Sequence, residues 1–176
     1  MADIKPRTSH KLNGVLGDVR RTNNFVLNIN GVSDNTDIDL VIQAAFLPKV
    51  SLDVLELRQG NDAIKLAGVA TWQGGSITVR DVINNTVLDS LLAWFKQTYD
   101  PETGTIGYAA DYKKNGMISE FAANGEFIRR WTVKGLWISE FNFGELDASR
   151  GDLKQVQLTL QIDPPSKLGP DYLDYR

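Results

Sequence analysis

Apolar and polar residues alternate most regularly near the end of the chain, between residues 152 and 163. Side chains on a strand point alternately to two faces, so this alternation predicts a half-buried β-strand. One face carries Val156, Leu158, Leu160 and Ile162, and the other carries Gln155, Gln157, Thr159 and Gln161. The polar face is uncharged. It suits water, and it equally suits a partner that can satisfy amide and hydroxyl hydrogen bonds.

Weaker alternation predicts the remaining strands. They fall at residues 25–31, 38–47, 51–59, 76–82, 116–123, 126–134 and 136–143. Asn124-Gly125 separates two of these segments and is a strong signal for a tight hairpin turn. Gly135 interrupts the alternation between the last two segments, so we predict two separate strands there.

The strand predicted at residues 51–59 contains a break in its alternation. Leu52 and Val54 share one parity, whereas Leu55 and Leu57 share the other. Such a slip indicates a bulge near Val54-Leu55, or a strand that passes from one environment to another. Residues 63–75 follow a turn and are rich in alanine and glycine. We predict a long loop there, and loops of that length are usually functional or flexible.

Only one segment has a convincing helical period. Apolar residues at spacings of three and four predict a helix of roughly 13 residues that begins near Thr86 and ends before Pro101. Its predicted inward face carries Leu88, Leu91, Leu92, Phe95 and Tyr99. Thr86 and Asp89 have the spacing of a capping box. Together these elements predict a mainly β fold, an antiparallel barrel or sandwich of about eight strands with one α-helix packed at its side.

The two ends of the chain differ from its middle, which predicts a β domain at residues 25–163 between two arms. Residues 1–24 hold five basic and two acidic residues, a charge of +3, so with a net charge of −3 the rest of the chain carries −6. A basic arm can dock on an acidic neighbour, although solvated tails are commoner. The arm at residues 164–176 carries Leu168, Tyr172, Leu173 and Tyr175, which is apolar for a chain end.

No motif in the sequence points to catalysis. The chain has no cysteine and one histidine, which excludes a disulfide, a thiolate metal site and a histidine cluster. Phosphate-loop, dinucleotide-binding and serine-nucleophile motifs are missing. Asp34, Asp37 and Asp39 lack the glycine and glutamate of a calcium loop, and Glu120 with Glu126 has no predicted pocket for glycosidase chemistry. We therefore predict no enzyme activity, no cofactor and no metal. The sequence also shows no signal peptide and no apolar run that could span a bilayer.

Several segments, in order, resemble contractile-phage tail tube proteins. Leu47-Pro48-Lys49-Val50 resembles the family's turn of leucine, proline, glycine and a hydrophobic residue, with lysine in the place of glycine. Residues 56–60 and 65–68 resemble the strand and stacking loop that follow this turn. Residues 76–80 resemble the strand before the family's single helix, and Trp94-Phe95 match a position in that helix. Residues 146–149 and 153–162 resemble the family's last turn and last strand. The resemblance covers residues 25–163.

This resemblance implies a small β-barrel with one helix, six copies to a ring, and rings stacked into the inner tube of a contractile tail. Strands from all subunits would line a lumen that conducts DNA during ejection. The implied partners are other copies of the chain, the surrounding sheath protein, baseplate proteins, and the tape-measure protein and DNA that the lumen holds without specific binding. The implied location is the virion tail, assembled in the host cytoplasm, without a membrane anchor.

The tube hypothesis assigns three sets of residues. Contacts between rings are predicted for Leu55, Leu57, Arg58, Ala63 and Lys65. The polar faces of long strands are predicted to line the lumen through Asp39, Gln43, Asp53 and Ser119 or Glu120. The C-terminal arm is predicted to pack on an adjacent subunit through Leu168, Tyr172, Leu173 and Tyr175.

Other functions stay open on the sequence alone. Type VI secretion tube proteins share the implied fold, and a tail-derived bacteriocin would use the same kind of subunit. A monomeric β-sandwich that acts as a binding module or enzyme is an alternative from a different class. Electron microscopy separates the classes, since a tube subunit forms rings or tubes and a monomer does not.

Overall fold

A seven-stranded antiparallel sheet organises the computed structural model, which describes residues 22–33, 38–149, 151–167 and 169–172. In chain order the elements are β1 (Phe25–Ile29), α1 (Ile38–Val41), β2 (Ile42–Ala44), β3 (Lys49–Gln59), β4 (Asp62–Gln73), β5 (Gly75–Arg80), α2 (Thr86–Thr98), β6 (Tyr99–Asp100), β7 (Thr105–Ile106), α3 (Ala109–Tyr112), β8 (Lys114–Phe121), β9 (Phe127–Asn142), β10 (Gln155–Asp163) and β11 (Asp171–Tyr172). The sheet has the order β1-β8-β9-β10-β5-β2, and β11 pairs with β9. The predicted mainly β, antiparallel fold is confirmed. Among the described strands β1 and β2 remain edges, so the sheet is open.

The strand β10 lies inside this sheet between β9 and β5. Its apolar face is buried as the alternation predicts, with Val156, Leu158 and Leu160 at 2% exposure or less. The polar residues of the same strand face the other way, and Gln155 and Gln157 are exposed. The strand therefore separates the core of the subunit from an outer face to which Gln155, Gln157 and Thr159 contribute uncharged side chains.

The strand β9 is 16 residues long and serves two neighbours. Its first part pairs with β8 and its second part with β10. The two strands predicted on either side of Gly135 are therefore one strand, and that prediction is wrong. Gly135 has φ 61, which lets the backbone bend without ending the strand. The predicted hairpin at Asn124-Gly125 is confirmed, with Gly125 at φ 85 between β8 and β9.

The helix α2 closes one side of the core. Its bounds agree with the predicted helix, and it buries Leu91, Trp94 and Thr98. The predicted capping box is wrong, because Asn85 occupies the cap position and no side chain caps the helix. The Thr86 hydroxyl instead donates to the Asn84 side-chain carbonyl at 2.5 Å. Short helices α1 and α3 accompany α2, so the prediction of one helix is incomplete.

Residues 38–47 do not form the predicted strand. They form α1 followed by the three-residue strand β2. Ile38 is fully buried, and Val41 and Ile42 pack against the same core. Ile38, Val41 and Ile42 have the i, i+3 and i+4 spacing that places side chains on one side of a helical turn. The sequence of this segment is therefore compatible with a helix as well as with a strand.

Residues 63–75 do not form the predicted loop either. Most of them belong to β4, which pairs with β3 along its whole length. Apart from Ser51, Gly68 and Trp72, which are half-buried, the residues of both strands are exposed, so burial imposes no clear alternation on the alanine- and glycine-rich segment. The register of the pair shifts between Leu52 and Val54, but the extra residue lies in β4, so the bulge is not in the strand where it was predicted.

Candidate assembly surfaces

The hairpin formed by β3 and β4 is separate from the large sheet. Within the described part of the chain these two strands pair only with each other. They are 11 and 12 residues long and are joined at Gly60, which has φ 66. An isolated two-stranded hairpin is only marginally stable in water. A hairpin of this length therefore needs another surface to cover it.

Large apolar side chains on this hairpin are exposed to solvent. Between 46% and 73% of the surface of each is accessible for Leu52, Val54, Leu55, Leu57, Ile64, Leu66 and Val69. Contiguous apolar surface of this kind marks an interaction site on a soluble protein. The hairpin is the principal candidate for contact with another chain.

All five residues predicted to contact another ring lie on this hairpin. Leu55, Leu57 and Arg58 are on β3, and Ala63 and Lys65 are on β4. The register places Leu57 opposite Ile64 and Arg58 opposite Ala63. The Arg58 Nε lies 3.3 Å from Glu56 Oε1, but both side chains are exposed, so this pair adds little stability. The tertiary structure thus gathers the predicted contacts in one exposed element.

A second surface is the polar face of β10 and its neighbours. Gln155, Gln157 and Thr159 lie opposite Arg80, Thr78 and Ser76 of β5. Side-chain hydrogen bonds order this face: Gln155 Nε2 donates to Gln43 Oε1 at 2.7 Å, Thr159 Oγ1 to Glu140 Oε2 at 3.2 Å, and Gln161 Nε2 to Ser139 Oγ at 3.3 Å. The result is a pre-ordered surface of amides and hydroxyls that also carries the charged side chains of Arg80 and Glu140.

The predicted lumen residues lie on four different elements. Gln43 is exposed on β2 and belongs to the polar face just described. Asp53 is exposed on β3 beside the bulge, and Asp39 lies in α1 with its side chain outside the described part of the structure. Glu120 on β8 is held inside the subunit, since Trp131 Nε1 donates to it at 2.7 Å and Arg129 Nη2 lies 2.8 Å away. The neighbouring Ser119 is half-buried on the same strand.

A groove of about 630 Å³ opens at one end of the polar face. The connection between β9 and β10 forms its wall, where Leu146 and Leu153 are 87% and 74% exposed. Asp147 shapes the connection by accepting hydrogen bonds from the Ser149 backbone N–H and hydroxyl at 2.9 and 2.6 Å. Chiefly the hydroxyl, and then the backbone N–H, holds the pKa of the Asp147 carboxyl below its ordinary value.

The C-terminal segment returns to its own sheet. Asp171 and Tyr172 of β11 pair with Arg130 and Arg129 of β9. Lys167 Nζ lies 2.6 Å from Asp171 Oδ1, and this contact lowers the pKa of the aspartate. Leu168, Leu173 and Tyr175 lie outside the described residues, as does the side chain of Tyr172. The predicted contact of this arm with an adjacent subunit stays a prediction.

The described ranges contain no group of three or more histidine, cysteine, aspartate and glutamate residues that could hold a metal ion. In the same ranges, no helix has the length and apolar character needed to cross a membrane.

Comparison with protein families identifies the chain. Residues 21–164 match the family described as T4-like virus tail tube protein gp19. The chain belongs to this family. The resemblance stated from the sequence is confirmed, and it places the protein in a family of structural tail tube proteins. A sequence search of curated proteins finds no match.

Solved structures with the same fold come from contractile injection systems. The sheath–tube complex of the extracellular contractile injection system PVC, in its extended state, matches with a TM-score of 0.63 and 16% identity over 95% of this chain and 100% of that chain. The baseplate of the anti-feeding prophage matches with a TM-score of 0.62 and 18% identity over 84% of this chain and 94% of that chain. The PVC sheath/tube terminator has a TM-score of 0.62 and 18% identity over 85% and 96% of the two chains. The tail tube fold is thus shared at low sequence identity.

Proposed function

We propose that this tail tube protein builds the inner tube of a contractile phage tail, as hexameric rings stacked around a lumen that conducts DNA during ejection. The observation that carries the proposal is the exposed β3–β4 hairpin, which has apolar side chains on a subunit that does not cover them. Because a tube consists of many copies of its subunit, membership of the tail tube family indicates that the partner of the hairpin is another copy of this chain.

The open edges of the sheet support closure of a ring. β1 and β2 are edge strands of the described sheet, and an edge presents unpaired N–H and carbonyl groups. Pairing with the edge of a neighbouring copy satisfies these groups without new chemistry. Repeated around an axis, such pairing makes one continuous barrel whose inner face is polar.

The polar face of β10 suits the wall of that lumen. We assign Gln43 to the wall, since it is bonded to Gln155 on this face. The amides and hydroxyls of this face offer hydrogen bonds to water, and its charged side chains include both signs, in Arg80 and Glu140. Such a face holds a polyanion weakly, because that binding grows with each lysine or arginine presented. Asp39 and Asp53 stay proposed as acidic lumen residues. Glu120 is the weakest candidate because Arg129 and Trp131 already engage its carboxylate.

The proposed partners follow from the position of the subunit in a tail. The sheath surrounds the tube, the baseplate lies at one end, and the tape-measure protein and DNA occupy the lumen without specific binding. The particle assembles in the host cytoplasm and carries the protein in its tail. A second candidate is the tube of a tail-derived injection particle, which the origin of the similar solved structures favours.

Replacing the outer hairpin tests the proposal. Val54 and Ala67 are paired, so residues 55–66 can be replaced by Asn-Gly to give a short hairpin with a compatible turn. We expect a folded subunit by circular dichroism and no tubes in electron micrographs, because the ring-to-ring contact has been removed.

The matched control keeps the hairpin and its apolar residues. Glu56→Gln changes an exposed side chain of the hairpin and keeps all five predicted contact residues, so this variant should still form tubes. Tubes of normal length from the shortened variant would show that the hairpin is not the assembly contact. Featureless small particles from the unaltered protein would favour the monomeric alternative.

A further inference from the structure

The apolar side of the β3–β4 hairpin changes along its length. In the inner half, Val50 and Leu52 face Trp72 and Ala70 across the pair. In the outer half, which spans residues 54–67, Leu55 and Leu57 face Leu66 and Ile64. Side chains alternate along a strand, so Leu52 and Leu55, three positions apart, point to opposite faces. The hairpin thus has two apolar surfaces that face in opposite directions.

A bulge in β4 matches this change. Between the pairs Leu52–Ala70 and Val54–Ala67, β3 advances by two residues and β4 by three. Without the extra residue, Ile64 and Leu66 would face away from Leu57 and Leu55. Gly68 lies in the bulge, where a Cβ would come within 2.9 Å of the Asp53 carbonyl oxygen. The bulge therefore brings the apolar residues of both strands onto the same new face.

The two apolar surfaces have different partners. Trp72, on the inner half, packs against the core of its own subunit. The outer surface faces the other way, and Leu55, Leu57, Ile64 and Leu66 stay between 46% and 59% exposed. The back of the outer half carries Val54 and the charged side chains of Glu56, Arg58 and Lys65. The predicted contacts Arg58 and Lys65 therefore lie on the face opposite Leu57, where charged groups suit solvent. A second body is needed to cover the outer apolar face.

The groove beside the β9–β10 connection has the complementary character. Leu146 and Leu153 expose apolar surface there, flanked by the carboxylates of Asp147 and Asp152. The leucine- and isoleucine-bearing face of the hairpin fits these exposed leucines, because contact between them removes apolar surface of both from water.

Hairpin and groove lie at opposite ends of the same strands. The hairpin joins the sheet through Gly74, which packs on the Leu160 carbonyl, and Gly75 pairs with Leu160. The groove lies where Gln155 pairs with Arg80, at the other end of β5. The six residues of β5 separate these ends by about 20 Å. One chain therefore carries two different complementary surfaces, which generate an open stack rather than a closed pair.

We propose that the outer half of the hairpin docks, through the face that carries Leu55, Leu57, Ile64 and Leu66, into the β9–β10 groove of a second copy. This docking rests on the proposed tube function and specifies its contact: which face of the hairpin is buried, and where. The bulge at Gly68 is the positioning element that turns this face away from its own subunit.

Engineered cysteines test the docking, because the natural chain has none. In tubes verified by electron microscopy, Leu57→Cys with Leu153→Cys should form disulfides between copies under mild oxidation. Since hairpin and groove are different surfaces, the products should be a ladder of multimers on a non-reducing gel. Arg58→Cys with Leu153→Cys is the matched control. Its thiol lies one residue away on the opposite face, so the ladder should be lost.

A labelling experiment tests the same contact when the double-cysteine variants assemble poorly. Single variants Leu57→Cys and Arg58→Cys are co-assembled with excess unaltered protein and treated with a polar maleimide. Leu57→Cys should react roughly tenfold more slowly in tubes than in free subunits, because access requires local opening of the interface. Arg58→Cys should react equally in both states.

Each other outcome has a definite meaning. Equal ladders or equal protection from the two positions would overturn the assignment of faces. Dimers without higher multimers would overturn the head-to-tail arrangement. Intact tubes with neither cross-links nor protection at Leu57 would overturn the docking and leave the tube function standing. Absence of tubes from the unaltered protein would overturn the proposed function itself.

Discussion

Gly135 shows how one residue shapes the longest strand. Its φ of 61 lies in the left-handed region, and a Cβ there would overlap the carboxylate of Asp163. That carboxylate is not free to move away, because Lys113 Nζ lies 2.8 Å from both of its oxygens. Glycine therefore lets β9 change partners from β8 to β10 around an ion pair that joins β10 to the chain after α3.

Gly135→Ala should lower the free energy of unfolding of the subunit by about 1–3 kcal/mol, since it combines a strained backbone with the overlap at Asp163. Urea unfolding followed by circular dichroism measures the change. Gly125→Ala is the control, because its φ is 85 but a Cβ there meets nothing within 4 Å. Equal losses from the two variants would show that the Asp163 contact contributes nothing.

At the scale of elements, α2 is held by contacts that its apolar period does not reveal. Trp94 is 2% exposed, and its Nε1 donates to the Tyr112 carbonyl at the end of α3 at 2.7 Å. The predicted inward face includes Leu91 but not Trp94 or Thr98, which are also buried. Tyr99 of that predicted face is 42% exposed and begins β6. The tryptophan thus couples two helices through one hydrogen bond.

Trp94→Phe should destabilise the subunit by about 1–3 kcal/mol, because it leaves the Tyr112 carbonyl unsatisfied and reduces packing. It should also loosen α3, so the Lys113 amide, which donates to Ala109, should exchange faster with solvent. Hydrogen exchange measured by NMR checks this local effect. Ala93→Ser, at an exposed position of the same helix, should leave exchange at Lys113 unchanged. Unchanged exchange in Trp94→Phe would show that α3 does not depend on this bond.

At the scale of the whole molecule, the sheet divides the subunit into an apolar interior and a polar exterior. The interior is filled by Ile77, Leu158 and Leu160 together with the helix residues Leu91 and Trp94. The exterior is ordered by cross-strand bonds such as that between Gln155 and Gln43. In the proposed tube this exterior faces the lumen, which makes it reachable only through the tube ends.

Gln43→Cys tests that arrangement in assembled tubes. A small maleimide should label the thiol, since it diffuses through the lumen, whereas a maleimide on a polymer wider than the lumen should not. Dissociated subunits of the same variant are the control and should react with both reagents, because Gln43 is exposed in the subunit. Labelling of intact tubes by the large reagent would place this face outside. Protection from both reagents would place it in a contact between subunits.

The sequence by itself determined the elements whose burial leaves a regular local period. The alternation from Val156 to Ile162 predicts β10, and the three-and-four spacing predicts the bounds of α2. The parity change between Val54 and Leu55 indicates the irregular region of the hairpin, although the extra residue lies in the partner strand β4. These signals are readable because each depends on the geometry of one element and on which of its sides is apolar.

The tertiary structure decided what depends on distant partners. Residues 62–73 form β4 because β3 supplies their hydrogen bonds, and no local period records this since both faces are exposed. Ile38 lies in a helix rather than in a strand, and from that helix its side chain is fully buried in the core. Glu120 has the alternation of a surface residue, but Arg129 and Trp131 hold it inside the subunit. A local sequence pattern indicates which side of a helix or strand is buried. Which other segment packs against that side is determined by the tertiary fold.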